Sequence, residues 1–287
     1  MKLIALSITL LLATCQSPLA EPREADALKL NELGIKYTLK QSTEPIPNRI
    51  HVLRIDLSLK KVKPTVALGA DPDGDGPAEV SLTDPRNLAA NPAVLAFINT
   101  NPWDSFPNAQ GKKNRSWHAG QPVDIHGLAG NQGKMRSTMA PNNASVWFDA
   151  HSRVHFGHQP KDKPQEATTG FGLILSKGKL TVNPGGARHP RTAMGTDQNG
   201  AILWLVVVDG RQRRYSEGMN MRELASLMKE LGCWTATNMD GGGSSIMGLM
   251  GKDGKIKIMN RPSDRSFGRV KIRPLPMILT ITKNPKK

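Results

Sequence analysis

The sequence predicts a single α+β domain built from twisted, mostly antiparallel sheets with few helices. Three observations carry that expectation. The 287 residues include 27 glycines and 21 prolines, more than an ordinary globular chain, which favours turns over long helices. Apolar residues recur at every second position or in short continuous runs, the pattern of strands. Only one stretch, residues 220–231, carries a long apolar stripe at helical spacing. Hydrophobic residues make up 38% of the chain, enough for a packed core and too many for wholesale disorder. Two cysteines exclude a disulfide framework and a cysteine-rich zinc site.

The chain opens on MKLIALSITLLLATCQSPLA. Lys2 precedes a short apolar core, Leu3–Ala13, of signal-peptide length and too short to cross a bilayer. Residues 1–20 therefore read as an export signal, and the product as secreted, periplasmic or lipid-anchored. Two processing sites compete. Leu12-Ala13-Thr14-Cys15 resembles a lipoprotein box with Cys15 as the lipidated residue, and Ala20 is the alternative cut. Residues 21–48, with Pro22, Pro45 and Pro47, read as a linker arm. The domain is expected over residues 49–282, with a basic tail at 283–287.

Within the domain, His51–Leu59 partly alternates, with Leu53, Ile55, Leu57 and Leu59 on one side, as a half-buried strand does. Val62–Leu68 is expected beside it. Asp71-Pro-Asp-Gly-Asp-Gly is a turn by composition. Asp71, Asp73 and Asp75 also match the first half of a calcium loop, but Leu82 stands where a chelating Glu belongs. Asp84 opens a short helix with Pro85 at its first position. Ala93–Ile98 is a strand that runs into Asn99-Thr-Asn-Pro-Trp103, a polar tip suited to a site. Residues 145–156 and 171–182 read as two hairpins. Ala201–Val208 is apolar on both faces, as a central strand is, and ends at Asp209-Gly210. Asn220 with Glu223 forms a capping box for the helix, which Gly232 ends. Cys233–Met239 is the next strand, with Cys233 buried.

The formal net charge is +15, spread over several short clusters. No zinc finger, arginine-rich helix or aromatic–basic motif accompanies it, so nucleic acid is not an expected partner. Two readings remain for the charge: a solvated surface without a partner, or affinity for an anionic cell-envelope polymer or membrane surface.

The strongest chemical signal is Asp240-Gly-Gly-Gly-Ser-Ser. Three consecutive glycines cost backbone entropy on folding, a cost that close approach of a ligand would justify. Their N–H groups, with the Ser244 and Ser245 hydroxyls, suit an anion nest. No Gly-Lys-Ser/Thr follows, which excludes a Walker loop, and the dinucleotide register is absent. Asp240 at this strand end is the first candidate catalytic carboxylate, Asp209 the second. Arg191 is a candidate phosphate fork.

His189-Pro-Arg-Thr-Ala-Met-Gly, Val208-Asp-Gly-Arg, Ser216-Glu-Gly-Met-Asn-Met-Arg-Glu-Leu-Ala and Asn238-Met-Asp-Gly-Gly-Gly-Ser-Ser-Ile-Met together resemble the phosphodiester glycosidase domain, in that family's order and spacing. Pro262-Ser-Asp264 and Arg273-Pro274 resemble its closing segment. Asn99 falls where the family has an Asn before two glycines; here Thr100 and Asn101 follow. The resemblance implies hydrolysis of a sugar-1-phosphodiester at the anomeric C–O bond; no cofactor follows from the sequence beyond the half-matched calcium loop at Asp71, Asp73 and Asp75. It implies Asp240 and Asp209 as catalytic carboxylates. It places Asn99, Arg191, Thr192, Asn238, Gly241, Gly242, Gly243, Ser244, Ser245 and Arg273 around the substrate. Two other functions stay open at this stage: a catalytically inactive module that binds an anionic envelope glycopolymer, and a metal-dependent phosphodiesterase, although no dense His/Asp ligand pattern for two metals is present.

Overall fold

The site is positioned by two sheets that meet along a seam. In the computed structural model, residues 29–107, 110–113, 116–157, 160 and 163–285 are described; residues 1–20, expected to be an export signal, lie outside them. A seven-stranded sheet runs in the order Ile35–Ser42, Asn48–Asp56, Ile202–Val208, Arg191–Thr196, Thr235–Asn238, Gly172–Ser176, Lys179–Leu180. A five-stranded sheet runs Ile256–Ile258, Met247–Met250, Val94–Asn99, Met277–Lys283, Val62–Leu68. A second five-stranded sheet contains Ala144–Phe148 at the centre of its hairpin. Every strand pairing among the described residues is antiparallel. This agrees with the mostly antiparallel, helix-poor expectation.

The alternation of Ile202–Val208 explains the layering. Leu203, Leu205 and Val207 point into a large core shared with Val66, Ile98 and Leu279 of the five-stranded sheet and Phe148 of the hairpin sheet. Trp204, Val206 and Val208 point the other way, against Leu224, Ala225 and Met228 of the helix Met221–Glu230. Both faces are dry, as a continuous apolar run requires. The helix starts on the expected box: Asn220 accepts from the Glu223 amide and Glu223 accepts from the Asn220 amide. Gly232 closes it with φ of 96°, a left-handed value that glycine adopts at no steric cost.

Three expectations change. Residues 35–42, inside the proposed linker arm, form an edge strand paired along its whole length with Asn48–Asp56. The strand at 48–56 is buried on both faces, since Ile50 and Val52 meet the helix layer while Leu53 and Ile55 enter the main core. Val62–Leu68 is not its neighbour; a turn at Leu57–Leu59 carries the chain to the other sheet, where it pairs with Met277–Lys283. A period of two locates a strand but carries no information about which sheet it joins.

The acidic turn also resolves. Asp71 accepts from the Asp73 and Gly74 amides and pairs with Arg136 at 2.7 Å. Asp73 accepts from the Ala78 amide. Among the described residues no group of three or more His, Cys, Asp or Glu side chains converges as a cation site would require. Cys233 is buried just before its strand, and burial pushes its thiol pKa up. Such a thiol is inert. No helix among the described residues is long and apolar enough to cross a membrane.

Candidate active site

Four strand ends from two sheets meet at Asp240. Arg191 pairs with Val208, and Ala193 with Asn238, so the start of one strand lies beside the ends of two others. The fourth end is Asn99, from the neighbouring sheet. Residues 241–246 then cross the seam from Thr235–Asn238 to Met247–Met250. The Asp240 backbone is clamped on both sides: its N–H donates to the Thr100 carbonyl at 2.9 Å, and its carbonyl accepts from Asn99 Nδ2 at 2.6 Å.

Asn99 is 1% exposed, and its Oδ1 accepts from the Thr192 hydroxyl at 2.7 Å and the Ile246 amide at 3.1 Å. Thr192 is fully buried. Both residues are therefore committed inside the protein, as the brace of the loop, and do not face a substrate. Asn238 is buried too, with Nδ2 donating to the Met239 carbonyl. Its Oδ1, the Thr100 hydroxyl and the Ser245 hydroxyl are buried without a hydrogen-bond partner among the described residues. These three polar groups belong to residues whose backbone adjoins the Asp240 loop, and a buried polar group without a partner calls for a specific explanation, of which a bound ligand is one.

Asp240 keeps partial solvent contact. Burial pushes its pKa from 3.8 up to about 6, against the opposing pull of the Ser244 hydroxyl, the Arg273 charge and the Gly241 amide. A carboxyl with that affinity is ionised at neutral pH yet weakly solvated, which suits a catalytic anion.

Each glycine has its own steric reason. A side chain at Gly241 would lie 2.9 Å from the Pro190 carbonyl. Gly242 has φ of 62° and the Arg211 guanidinium 3.0 Å from where a Cβ would stand. At Gly243 a Cβ would fall 2.2 Å from Asp264 Oδ1 and 2.3 Å from Arg273 Nη2. The anion-nest expectation is corrected here. The N–H groups of Gly241, Gly242, Ser244 and Ser245 already donate to Asp240 Oδ1, Pro190 O, Gly241 O and Gly242 O. Small residues are needed so that side chains can close on the loop from both sides.

On one side stands the pair Arg273–Asp264. Arg273 donates from Nε and Nη2 to Asp264 Oδ2 at 3.0 and 2.8 Å, and from Nη1 to the Ser244 hydroxyl at 3.3 Å. Trp117 lies 5.4 Å from the Arg273 guanidinium carbon. On the other side stand cations that form no ion pair with a carboxylate among the described residues. Arg191 spends two N–H groups on the Met219 and Ala187 carbonyls at 2.9 and 3.3 Å. Arg211 reaches His189 Nδ1 at 3.3 Å. Burial and the Arg211 charge hold Arg191 below the usual guanidinium range. Burial, Arg211 and Arg191 hold His189 below the usual imidazole range. Mutual repulsion of this kind, left uncompensated, marks a place for an anion. Arg211 and His189 were not among the expected site residues. Arg211 has φ of 56°, which turns its side chain back over Gly242; nothing local in Asp-Gly-Arg announces that strain.

Asp209 is not brought into the cleft. It is 1% exposed; Oδ1 accepts from Asn260 Nδ2 at 3.2 Å and the Arg261 amide at 2.9 Å, and Oδ2 faces His51 Nε2 at 3.4 Å. Its role is to anchor the segment after Met259 beneath the loop. A concavity of about 580 Å³ lies at the far end of the Arg191–Thr196 strand, lined by Trp147, His155, Asp197 and Trp234. There Asp149 accepts from the His151 and Arg153 amides and pairs with His155 at 3.0 Å, and Asp197 accepts from the Ala201 and Ile202 amides.

Comparison with known proteins agrees on the fold and the family. The phosphodiester glycosidase family model matches residues 106–282. An SPbeta prophage-derived uncharacterized protein of Bacillus subtilis is 26% identical over 179 residues, 58% of this chain. The chain spans only 26% of that relative's length. Among solved structures, the catalytic domain of zebrafish N-acetylglucosamine-1-phosphodiester alpha-N-acetylglucosaminidase, auto-inhibited by its pro-peptide, aligns with a TM-score of 0.62 at 20% identity, covering 87% of this chain and 83% of that one. A putative exported protein of Burkholderia pseudomallei aligns with a TM-score of 0.57 at 14% identity, covering 90% and 88%.

Proposed function

The chain belongs to the phosphodiester glycosidase family, and we propose that it hydrolyses the glycosidic bond of a sugar-1-phosphodiester. The observation that carries this reading is one poorly solvated carboxylate, Asp240, followed by Gly241 and Gly242, which pack against Pro190–Arg191 and Arg211, cations that form no ion pair among the described residues. The sugar ring sits over Asp240 and the phosphate over Arg191, Arg211 and His189.

In this arrangement the anomeric C–O bond breaks and its electron pair leaves with the phosphate. The leaving group is a phosphate monoester whose second pKa is about 6, so no strong general acid is needed. That accounts for a site without a second carboxylate of the Asp209 kind in the cleft. Arg191 and Arg211 stabilise charge as it builds on phosphate, and the Asp240 carboxylate stabilises the oxocarbenium-like sugar on the other side. Water supplies hydroxide to the anomeric carbon and a proton to the phosphate. Asn99, Thr192 and Asn238 hold the loop, and Arg273 holds Ser244.

The test is a panel of sugar-1-phosphodiesters turned over in oxygen-18 water. The reading expects unlabelled phosphate monoester, because C–O cleavage puts the solvent oxygen on the sugar. Label in the phosphate means P–O cleavage and refutes it. Absence of turnover across the panel favours a binding module. We place the activity outside the cytoplasm on the strength of the signal-like residues 1–20. Cys15→Ser should abolish lipid labelling, and a mature N-terminus at Glu21 would exclude lipid attachment.

A further inference from the structure

The cations do not stop at the loop. Arg211 is followed by Gln212, whose side chain links two further arginines: Arg265 Nη2 donates to Gln212 Oε1 at 2.6 Å, and Gln212 Nε2 donates to the Arg261 carbonyl at 2.8 Å. Arg261 and Arg49 then sit at 4.9 and 4.7 Å from the ring centre of Tyr215. A band of guanidinium groups thus runs from Gly242 through Arg211 and Arg265 to Arg261 and Arg49. Exposed Arg213 and Arg214 lie in the same loop. None of these arginines forms an ion pair with a carboxylate among the described residues, whereas Arg86, Arg136, Arg188 and Arg273 all do.

The band is built, not merely left over. Asp209, buried beneath it, fixes the Arg261 backbone. Tyr215 stacks with Arg49 and Arg261, which holds their planes in place. Partial burial and the Arg261 charge hold Arg265 below the usual guanidinium range. Proteins ordinarily disperse or pair such charges, and a fixed row of planar forks matches a row of phosphates. A single phosphodiester would occupy only the Arg191–Arg211 end.

Building on the hydrolytic reading above, we propose that the substrate is a polyanionic glycopolymer with repeating phosphodiesters, whose second phosphate is gripped by Arg265 and Arg261. The reacting phosphate lies at Arg211 and the next repeat lies along the band. The polymer is processed from a bound stretch, and each cleavage leaves the remaining chain held by its neighbouring phosphates.

The test measures binding without turnover, so that it stands apart from the hydrolytic reading. The probes are N-acetylglucosaminyl phosphodiesters with one, two or four repeats, in which CH2 replaces each anomeric oxygen. Calorimetry on the full chain should give at least ~10-fold tighter binding for two repeats than for one, with a steeper loss on raising salt. Arg265→Gln, at an exposed position, and the double change Arg261→Gln/Arg265→Gln should bring the two-repeat to one-repeat ratio toward one. Arg265→Lys should recover part of it. Equal binding of one and two repeats by the unmodified chain, or no binding of the four-repeat probe at low salt, overturns the proposal. Retention of the ratio in the double variant also overturns it. So does equally tight binding of DNA or of phosphatidylglycerol vesicles, which would make the band a general polyanion surface. If the ratio holds while no sugar-1-phosphodiester is hydrolysed, the hydrolytic reading fails and the polymer site stands.

Discussion

Replacing Asp240 by Asn should make the protein more stable and nearly inactive at the same time. The native fold raises the Asp240 pKa from 3.8 to about 6, mainly by burial. A raised carboxyl pKa means that the fold disfavours the ionised form. Between about pH 4 and 6 the native state holds a proton that the unfolded chain has released, so stability falls as pH rises through this window. Above about 6 the whole penalty remains. At roughly 1.4 kcal/mol per pH unit, its ceiling is about 3 kcal/mol, and the partial solvent contact of Asp240 lowers the realised value to about 1–3 kcal/mol. Asn keeps the shape and the acceptor for the Gly241 amide but carries no charge. The assay is urea unfolding of both proteins at about pH 4 and about pH 8, reading the difference between them so that other titrations cancel. The variant should gain little at the lower pH and about 1–3 kcal/mol at the higher one. In parallel, kcat/KM of the unmodified enzyme should rise with pH through about 6 as Asp240 ionises, and the variant should lose most turnover. A stability difference that does not change with pH, or a variant less stable at about pH 8, refutes the claim that Asp240 is a poorly compensated catalytic anion.

Four further variants test the same geometry. Arg211→Ala should weaken inhibition by inorganic phosphate about 10–100-fold, as loss of a charge-assisted bond of about 1.5–3 kcal/mol implies, and leave neutral-sugar binding nearly unchanged. The His189 pKa, followed by NMR, should rise in that variant because one repelling charge is gone. Asp209→Asn should destabilise the fold by about 3 kcal/mol at neutral pH; normal stability with abolished turnover would return Asp209 to the chemistry. Gly243→Ala should cost about 1–3 kcal/mol by forcing Asp264 and Arg273 apart, and less in an Asp264→Ala background, where a double-mutant cycle reads the coupling. Asp264→Asn should lower the acid limb of kcat/KM by about one pH unit, since Arg273 is then free to turn to Asp240.

Much of the scaffold was legible because it rests on local rules. The capping box at Asn220 and Glu223, the stop at Gly232 and the two-faced apolar run before Asp209 each follow from neighbouring residues. The hairpins at 144–157 and 172–180 were equally local. What a strand pairs with was not. The edge strand Ile35–Ser42 carries only a short alternation, Ile35, Tyr37 and Leu39 against exposed Lys36, Thr38 and Lys40, a signal that does not stand out beside Pro45 and Pro47, and it exists because Asn48–Asp56 presents an open edge. In the site, the Asp240 loop announced itself through its glycines, but their reason was misread. The ligands that explain Gly242 and Gly243 come from Arg211, Asp264 and Arg273, dozens of residues away, and no local pattern states that a distant guanidinium needs the space. Asn99 and Thr192 were found at the right place with the wrong task, because residues that brace a loop and residues that touch a ligand carry the same polar groups.

Asp209 and Asp240 show how one dipeptide acquires two chemistries. Both end a strand of the same sheet, and both precede glycine. Asp209 is sealed, with two donors on Oδ1 and His51 on Oδ2, and it anchors the arginine-rich segment above it. Asp240 stands at the seam, where the chain leaves one sheet for another and the carboxylate meets solvent. Its nearest strong counter-charge, Arg273, directs Nε and Nη2 to Asp264 and Nη1 to Ser244. Asp264 thereby diverts the cation that would otherwise quench Asp240. A tight pair between Arg273 and Asp240 would drive the Asp240 pKa down and spend the carboxylate on a salt bridge. Asp264 keeps it available, and Gly243 leaves the room that lets Asp264 and Arg273 meet over the loop. The third glycine and the distant Asp264 thus belong to one device, which holds the Asp240 carboxyl near neutrality without letting it close on its own counter-ion.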